Sequence, residues 1–182
     1  MKNTKSTGIN DIKIQLIVNN LTIDVPDSML NSMISDLHID SEEGKNILEI
    51  LAHHPSSQVR ESVAYKDELT EETVKILAAD PSTEVLSNLL SSDSAKEFLS
   101  TEEVLAIVQR DPSLARQVAD SLDQFEQADQ GKLADVCMKH PDPSVRLELV
   151  QSWSTPKAII KKMLKDSNKT VAAEAAKRML DR

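Results

Sequence analysis

One pattern recurs five times between residues 47 and 180, and it limits the folds open to this chain more than any other feature. The copies are "LEILAHHPSSQVRESVA" ending at Ala64, "VKILAADPSTEVLSNLL" ending at Leu90, and "LAIVQRDPSLARQVADSL" ending at Leu122. They continue with "ADVCMKHPDPSVRLELV" ending at Val150 and "IKKMLKDSNKTVAAEAA" ending at Ala176. Aligned on Pro55, Pro81, Pro112, Pro141 and Ser167, they are spaced by 26, 31, 29 and 26 residues. A unit this small cannot bury an apolar face alone, so a recurrence at this period points to units that lean on their neighbours.

Each copy reads as two short helices. Ahead of the anchor, apolar residues cluster at helical spacing: Ile47, Leu48 and Leu51, then Val74, Ile76 and Leu77, then Val104, Leu105 and Val108. Behind it stand Val59 and Val63, Val85 and Leu89, Val145 and Leu149, and Val171 and Ala175, each pair four residues apart and on one helix face. The anchor is helix punctuation: Asp80 suits an N-cap, and Pro81 the first helical position, where a missing N–H is harmless. Ser100 and Glu103 form a capping-box pattern, and "LTEE" from Leu69 places acids in a first turn. With only Gly8, Gly44 and Gly131, few turns can rely on glycine for positive φ.

The sequence Asp, then Val five residues on, then Arg, resembles the HEAT repeat. The units are shorter than typical and closer to the HEAT-like repeats of phycobilin-lyase type or the leucine-rich-repeat variant. The resemblance implies an all-α fold, an α-solenoid of about five short helical hairpins, over residues 41–182. It also implies a ladder of Asp and Arg between neighbouring units. His54 and His140 replace the Asp, and Arg follows the Val only as Arg60 and Arg146. The ladder carried over here therefore pairs Arg60 with Asp80 and Arg146 with Asp166.

Residues 1–10 read as a disordered leader, and 11–40 as an N-terminal cap. In "IKIQLIVNNLTIDV", Ile12, Ile14, Leu16 and Val18 alternate, and Leu21, Ile23 and Val25 follow Asn19–Asn20. This predicts a small β-hairpin, with a helix as the competing reading. A lone hairpin is marginally stable, so it is expected to lie over the first repeat or over its own helix. Its plain role is to cap the array; the alternative is an exposed edge that accepts a partner's strand. The next helix is predicted to align Met29, Leu30, Met33, Ile34 and Leu37 on one side.

The net charge is −9, unevenly spread. From Glu61 to Asp135 there are seventeen acidic against six basic residues; from Lys157 to Arg182, eight basic against three acidic. The acidic middle repels phosphate backbones and disfavours nucleic acid. No stretch approaches transmembrane length, and the lone Cys137 gives no sign of an oxidising compartment, so the default is a cytoplasmic protein without membrane contact. The expected function is non-enzymatic: a scaffold or adaptor gripping a protein or peptide partner of basic or mixed charge along the exposed row of second helices. Opposite the buried stripe, that row is Glu61, Tyr65, Ser87, Leu147, Gln151 and Lys177.

Other candidates read as structural. Cys137 and His140 have C-x-x-H spacing, but no further ligands complete a zinc site, and Cys137 fills the position of Leu51, Leu77 and Val108. His53 and His54 are adjacent, and His54 takes the repeat's Asp position. Glu71–Glu72 and Glu102–Glu103 sit in first helical turns, where they complement the dipole. Met29, Met33, Met138, Met163 and Met179 fall on apolar stripes, and Trp153 at a junction between units. No catalytic motif, cofactor or metal set is indicated. The competing class is an enzyme on a HEAT-like array, by analogy with alkylpurine DNA glycosylases and bilin lyases. Four aromatics and an acidic middle ill suit the first, and no residue marks the second.

Overall fold

The computed structural model describes residues 13–36 and 41–180. The leader, Ile12 and Leu37 lie outside the described residues. The protein is mostly helical, 68%, with twelve α-helices and one two-stranded antiparallel sheet among the described residues. It divides into two compact units, Met1–Phe98 and Leu99–Arg182.

The first unit opens with β1 (Gln15–Val18) and β2 (Leu21–Asp24), paired Gln15 to Asp24 and Val18 to Leu21. Asn19 and Asn20 both take positive φ, 49° and 66°, as a two-residue type I′ turn requires. Leu16, Val18, Leu21 and Ile23 share one face of this hairpin and all are exposed; Val25, just past it, is buried. The expected cover over the hairpin is thus missing among the described residues, and the strands are held mainly by their own pairing.

After the hairpin come α1 (Asp27–Asp36), α2 (Glu42–Leu51), α3 (Ser57–Ala64), α4 (Glu71–Ala78), α5 (Thr83–Ser91) and the short α6 (Asp93–Phe98). Helix α3 packs between α1 and α5, while α4 packs against α2 and α6. The second unit holds α7 (Thr101–Val108), α8 (Pro112–Asp120), α9 (Gln127–Lys139), α10 (Pro143–Gln151), α11 (Lys157–Met163) and α12 (Lys169–Leu180). There α10 packs between α8 and α12, and α7 against α9. The paired residues behind each anchor are the core: Val59 and Val63, Val85 and Leu89, Val145 and Leu149, Val171 and Ala175 are all fully buried. Of the stripe predicted ahead of the anchor, Leu48 and Leu51, Val74 and Leu77, and Val104 and Val108 are buried, Ile76 and Leu105 are half-buried, and Ile47 is exposed.

Three local readings need correction. In the third pair the buried second-helix residues are Leu114 and Val118, two and six residues past Pro112 rather than four and eight. The turn there is two residues shorter, so Pro112 is the first residue of α8 and not the counterpart of Pro55. Asp80 does not cap α5. Ser82 does, its hydroxyl accepting from Val85 N, while Asp80 Oδ1 accepts from Ser82 N at 2.8 Å, one turn earlier. The Asp–Pro cap expected there forms instead at Asp111–Pro112 and Asp142–Pro143. Finally, α1 buries Leu30 and Ile34 but leaves Met29 and Met33 about half exposed.

Helix α6 was not legible as a separate element. Ser92 Oγ accepts from Ala95 N to start it, and Ser94 Oγ accepts from Leu69 N at 2.8 Å, tying it to the turn before α4. With Leu114 as the counterpart of Val85, the second and third copies stand 29 residues apart rather than 31, still more than the 26 from Val59 to Val85, and α6 lies within that stretch. The capping box of Ser100 and Glu103 is formed at α7, and Thr70 caps α4 ahead of Glu71 and Glu72.

Candidate functional site

Two arginines organise the inter-helix turns. Arg60, on α3, donates from Nε to Asp80 Oδ2 at 2.5 Å and from Nη2 to Oδ1 at 3.1 Å. Its Nη1 donates to the carbonyls of His54 and Pro55 at 2.7 and 3.0 Å. Arg146, on α10, repeats the arrangement: Nε to Asp166 Oδ2 at 2.8 Å, Nη2 to Oδ1 at 3.1 Å, and Nη1 to the carbonyls of His140 and Pro141. Each guanidinium therefore ties its own turn to the next. At the equivalent position α5 carries Leu86 and α8 carries Ala115, both buried, so neither helix has an arginine at the ladder position.

The histidines fill the aspartate's other role. His54 Nδ1 accepts from Ser56 N at 3.2 Å and His140 Nδ1 from Asp142 N at 3.1 Å, as Asp80 and Asp166 do from Ser82 N and Asn168 N. A ring nitrogen two residues ahead of an N–H can close the same turn as a carboxylate oxygen. The Arg146 hydrogen bonds hold the Asp166 carboxyl below the usual carboxylate range, and Asp80 and Asp166 hold their arginines above the usual guanidinium range. The two guanidiniums and the four side chains His54, Asp80, His140 and Asp166 are thus all engaged in holding these turns.

Cys137 is buried, its Sγ 3.8 Å from the carbonyl of Ala115, and burial pushes its thiol up to about 12. No group of three or more His, Cys, Asp or Glu side chains among the described residues could hold a metal ion. The thiolate is the reactive species, so Cys137 is expected to resist iodoacetamide in the native protein at mildly alkaline pH and to react only in denaturant. Mass spectrometry of the alkylated chain reads this directly. Rapid native alkylation would show that α9 opens locally.

The surface feature that stands apart is an open groove of about 750 Å³ in the first unit. It runs over the exposed side of α3, between α1 and α5. Glu61 of α3 and Tyr65, the residue that ends that helix, line it together with Asn31 and Ser35 of α1 and Asn88 of α5. Lys66 and Asp67, which follow α3, complete its end. Lys66 Nζ donates to the carbonyl of Ser35 at 2.8 Å, and Asn88 Nδ2 to that of Glu61 at 3.2 Å, so the walls are tied across the groove. Tyr65, the protein's single tyrosine, is 76% exposed. Glu68, immediately past this end, holds a positive φ of 62°. That is a strained conformation for a side chain other than glycine, of the kind that collects at functional surfaces.

The remaining row residues are placed differently. Ser87 is half-buried on α5, and its neighbour Asn88 lines the groove instead. In the second unit Leu147 packs against the cluster of Val150, Ile160, Met163, Val171 and Ala175. Gln151 is exposed, and Lys177 is exposed with its ammonium 3.7 Å from Glu174. Trp153 is 86% exposed, its ring faced by the Arg178 guanidinium at 5.8 Å from the centroid. Of the predicted core methionines, Met163 is buried, Met138 and Met179 pack partly buried against the same cluster, and Met29 and Met33 are exposed. No helix among the described residues is long and apolar enough to cross a membrane.

No protein-family model, curated protein or solved structure matches the chain.

Proposed function

We propose that this chain is a non-enzymatic protein-interaction module of the HEAT-like type, in which the helix pairs of each unit stack as an α-solenoid and the exposed second helices hold a protein or peptide. The observation that carries this is the groove over α3. It is open, and its lining of amides, hydroxyls and charges can bond a peptide backbone. Glu61 and Tyr65, which helical periodicity sets opposite the buried stripe, both line it. In support, the Arg60 and Arg146 ties brace successive turns and make the helix rows firm enough to present such a surface. The favoured partner has a basic or mixed-charge surface, since Glu61 and Asp67 face the groove.

Selection from a displayed random-peptide library tests the reading. Peptides enriched on the wild-type chain are expected to lose at least about tenfold in affinity on Glu61→Lys, equivalent to about 1.4 kcal/mol. They should bind Trp153→Ala, altered in the other unit, unchanged. Circular dichroism spectra identical to wild type establish that both variants are folded. Equal binding to Glu61→Lys and wild type would remove the groove from consideration.

A further inference from the structure

The β1–β2 hairpin has one wholly apolar face, and that face is uncovered among the described residues. By the strand register Leu16 and Ile23, and Val18 and Leu21, fall on the same side. Val25 N donates to the Ile14 carbonyl at 2.9 Å, which extends the pairing one step and puts those two residues on that side as well. Exposure climbs along the face from base to tip. Val25 is 8% exposed and Ile14 half-buried; Leu16 and Ile23 stand at 41% and 47%, and Val18 and Leu21 at 54% and 62%. The base is thus seated in the first unit, and the same apolar surface runs on beyond it. The opposite face carries Gln15, Ile17, Thr22 and Asp24, where Gln15 Nε2 donates to Asp24 Oδ1 at 2.7 Å. Polar side chains therefore keep to one face and leave the other to aliphatic ones.

A two-stranded sheet is marginal alone and persists when a third strand or a packed face supports it. The area open here suits one such support. Leu16, Val18, Leu21 and Ile23 together leave exposed the equivalent of about two whole aliphatic side chains, roughly 350–400 Å². Two such faces in contact would bury about 700–800 Å² of apolar surface, and apolar atoms make up about 60% of a specific interface. The whole contact then comes to about 1,200 Å², the lower end of the range for stable pairs.

Charge and shape point to the occupant. Residues 14–23, "IQLIVNNLTI", contain no ionisable side chain, so the face selects neither an acidic nor a basic partner. For the same reason it brings no like charges together when it meets itself, although the chain as a whole carries −9. Two identical hairpins also share one twist, which lets their faces stack at the aligned angle of packed sheets, about −30°. Residues 1–12 offer only Met1, Ile9 and Ile12 among polar neighbours, too few and too scattered to cover four aliphatic side chains. We propose that a second copy of this chain covers the face, with Leu16, Val18, Leu21 and Ile23 packed against the same four residues across a twofold axis. The pair forms a small two-layer sandwich and gives each hairpin the core it lacks. None of these residues lines the groove, so the contact is a separate surface with a separate partner.

Sedimentation velocity of the full-length chain from about 1 μM to about 500 μM tests this, and a closed symmetric contact predicts monomer passing to dimer with no larger species. Leu21→Lys is expected to weaken the dimer at least about tenfold, while Ile17→Lys, on the opposite face, leaves it within about twofold of wild type. The backbone amide signals of Asn19 and Asn20 show whether the hairpin persists in each variant. Raising the salt should hold or tighten the dimer, because the two chains repel and the contact itself is uncharged. Alkylation gives a readout that does not depend on a disruptive charge. The thiol of Leu21→Cys should react more slowly as the chain is concentrated, and that of Ile17→Cys should not, with the native Cys137 buried in both. A monomer at every concentration overturns the proposal, as does a dimer that Leu21→Lys leaves intact. Equal loss on Ile17→Lys with the hairpin signals unchanged overturns the choice of face. A dimer that salt dissolves assigns association to the acidic and basic stretches instead. Protection of Leu21→Cys by phosphatidylcholine vesicles in a chain that stays monomeric replaces the second copy with a lipid surface.

Discussion

Replacing Arg146 with alanine is expected to lower the unfolding free energy by about 3 kcal/mol, the scale for breaking a buried ion pair by removing one partner. Both side chains are nearly enclosed, at 11% and 6% exposure, and the guanidinium also serves two turn carbonyls. The variant leaves the Asp166 carboxylate buried with only Asn168 N to bond, and strands the carbonyls of His140 and Pro141. Arg146→Lys should recover less than half of the loss. One ammonium cannot span both carboxylate oxygens and the two carbonyls as a planar fork does. The double variant Arg146→Ala/Asp166→Ala should be less destabilised than the sum of the single ones, because it removes the uncompensated charge as well as the pair. Urea unfolding followed by Trp153 fluorescence reads the second unit, where the tryptophan sits, while circular dichroism reads the whole chain. A change below about 0.5 kcal/mol for Arg146→Ala would mean that the tie is solvated and only decorates the turn.

The same tie sets an acid dependence with a definite sign. The Asp166 carboxyl is held low by its Arg146 hydrogen bonds, then by the N–H of Asn168, against an opposing effect of burial. A depressed carboxyl contributes stability that is fully present above its unfolded value of about 3.9 and is lost as pH falls through the lower folded value. Asp166→Asn should flatten the stability profile in that acidic window and leave its slope near neutrality alone. Asp111 and Asp142, lowered by their hydrogen bonds to Ser113 and Ser144, titrate in the same region, so a residual slope is expected.

What was legible in the chain follows from which signals are periodic. The i, i+4 pairs behind each anchor are all core, since a helix buried on one side must repeat its apolar residues at that interval. The Asn19–Asn20 turn was legible because tolerance of positive φ is a property of the residue itself. Pro112 misled because proline serves two positions in these turns, the one before the cap residue and the first of the helix. Only the packing of Leu114 and Val118 tells them apart. Helix α6 was hidden because six residues, "DSAKEF", are too few to show a period. The groove was half legible. Helical geometry found Glu61 and Tyr65, but Asn31 and Asn88 enter from neighbouring helices whose rotation about their axes no single segment encodes.

Leu30→Ala and Met33→Ala should differ sharply although both residues lie in one predicted apolar stripe. Leu30 is 2% exposed and Met33 48%. The first change removes a buried side chain and leaves a cavity, an expected loss of about 3 kcal/mol. The second trims a side chain half in water and should stay within about 0.5 kcal/mol. An arc that includes Met29, Leu30, Met33 and Ile34 covers more of the helix than α3 can cover, so α1 buries its centre and leaves one edge open. Thermal and urea unfolding of the two variants at matched protein concentration make the comparison. A Met33→Ala loss as large as that of Leu30→Ala would show that the exposed edge is covered in solution. With Leu16, Val18, Leu21 and Ile23 also exposed on the hairpin just before this helix, the concentration dependence of that loss would then tell whether the cover is a second copy or part of the same chain. A loss independent of concentration assigns it to the chain itself, and one that grows on dilution assigns it to association.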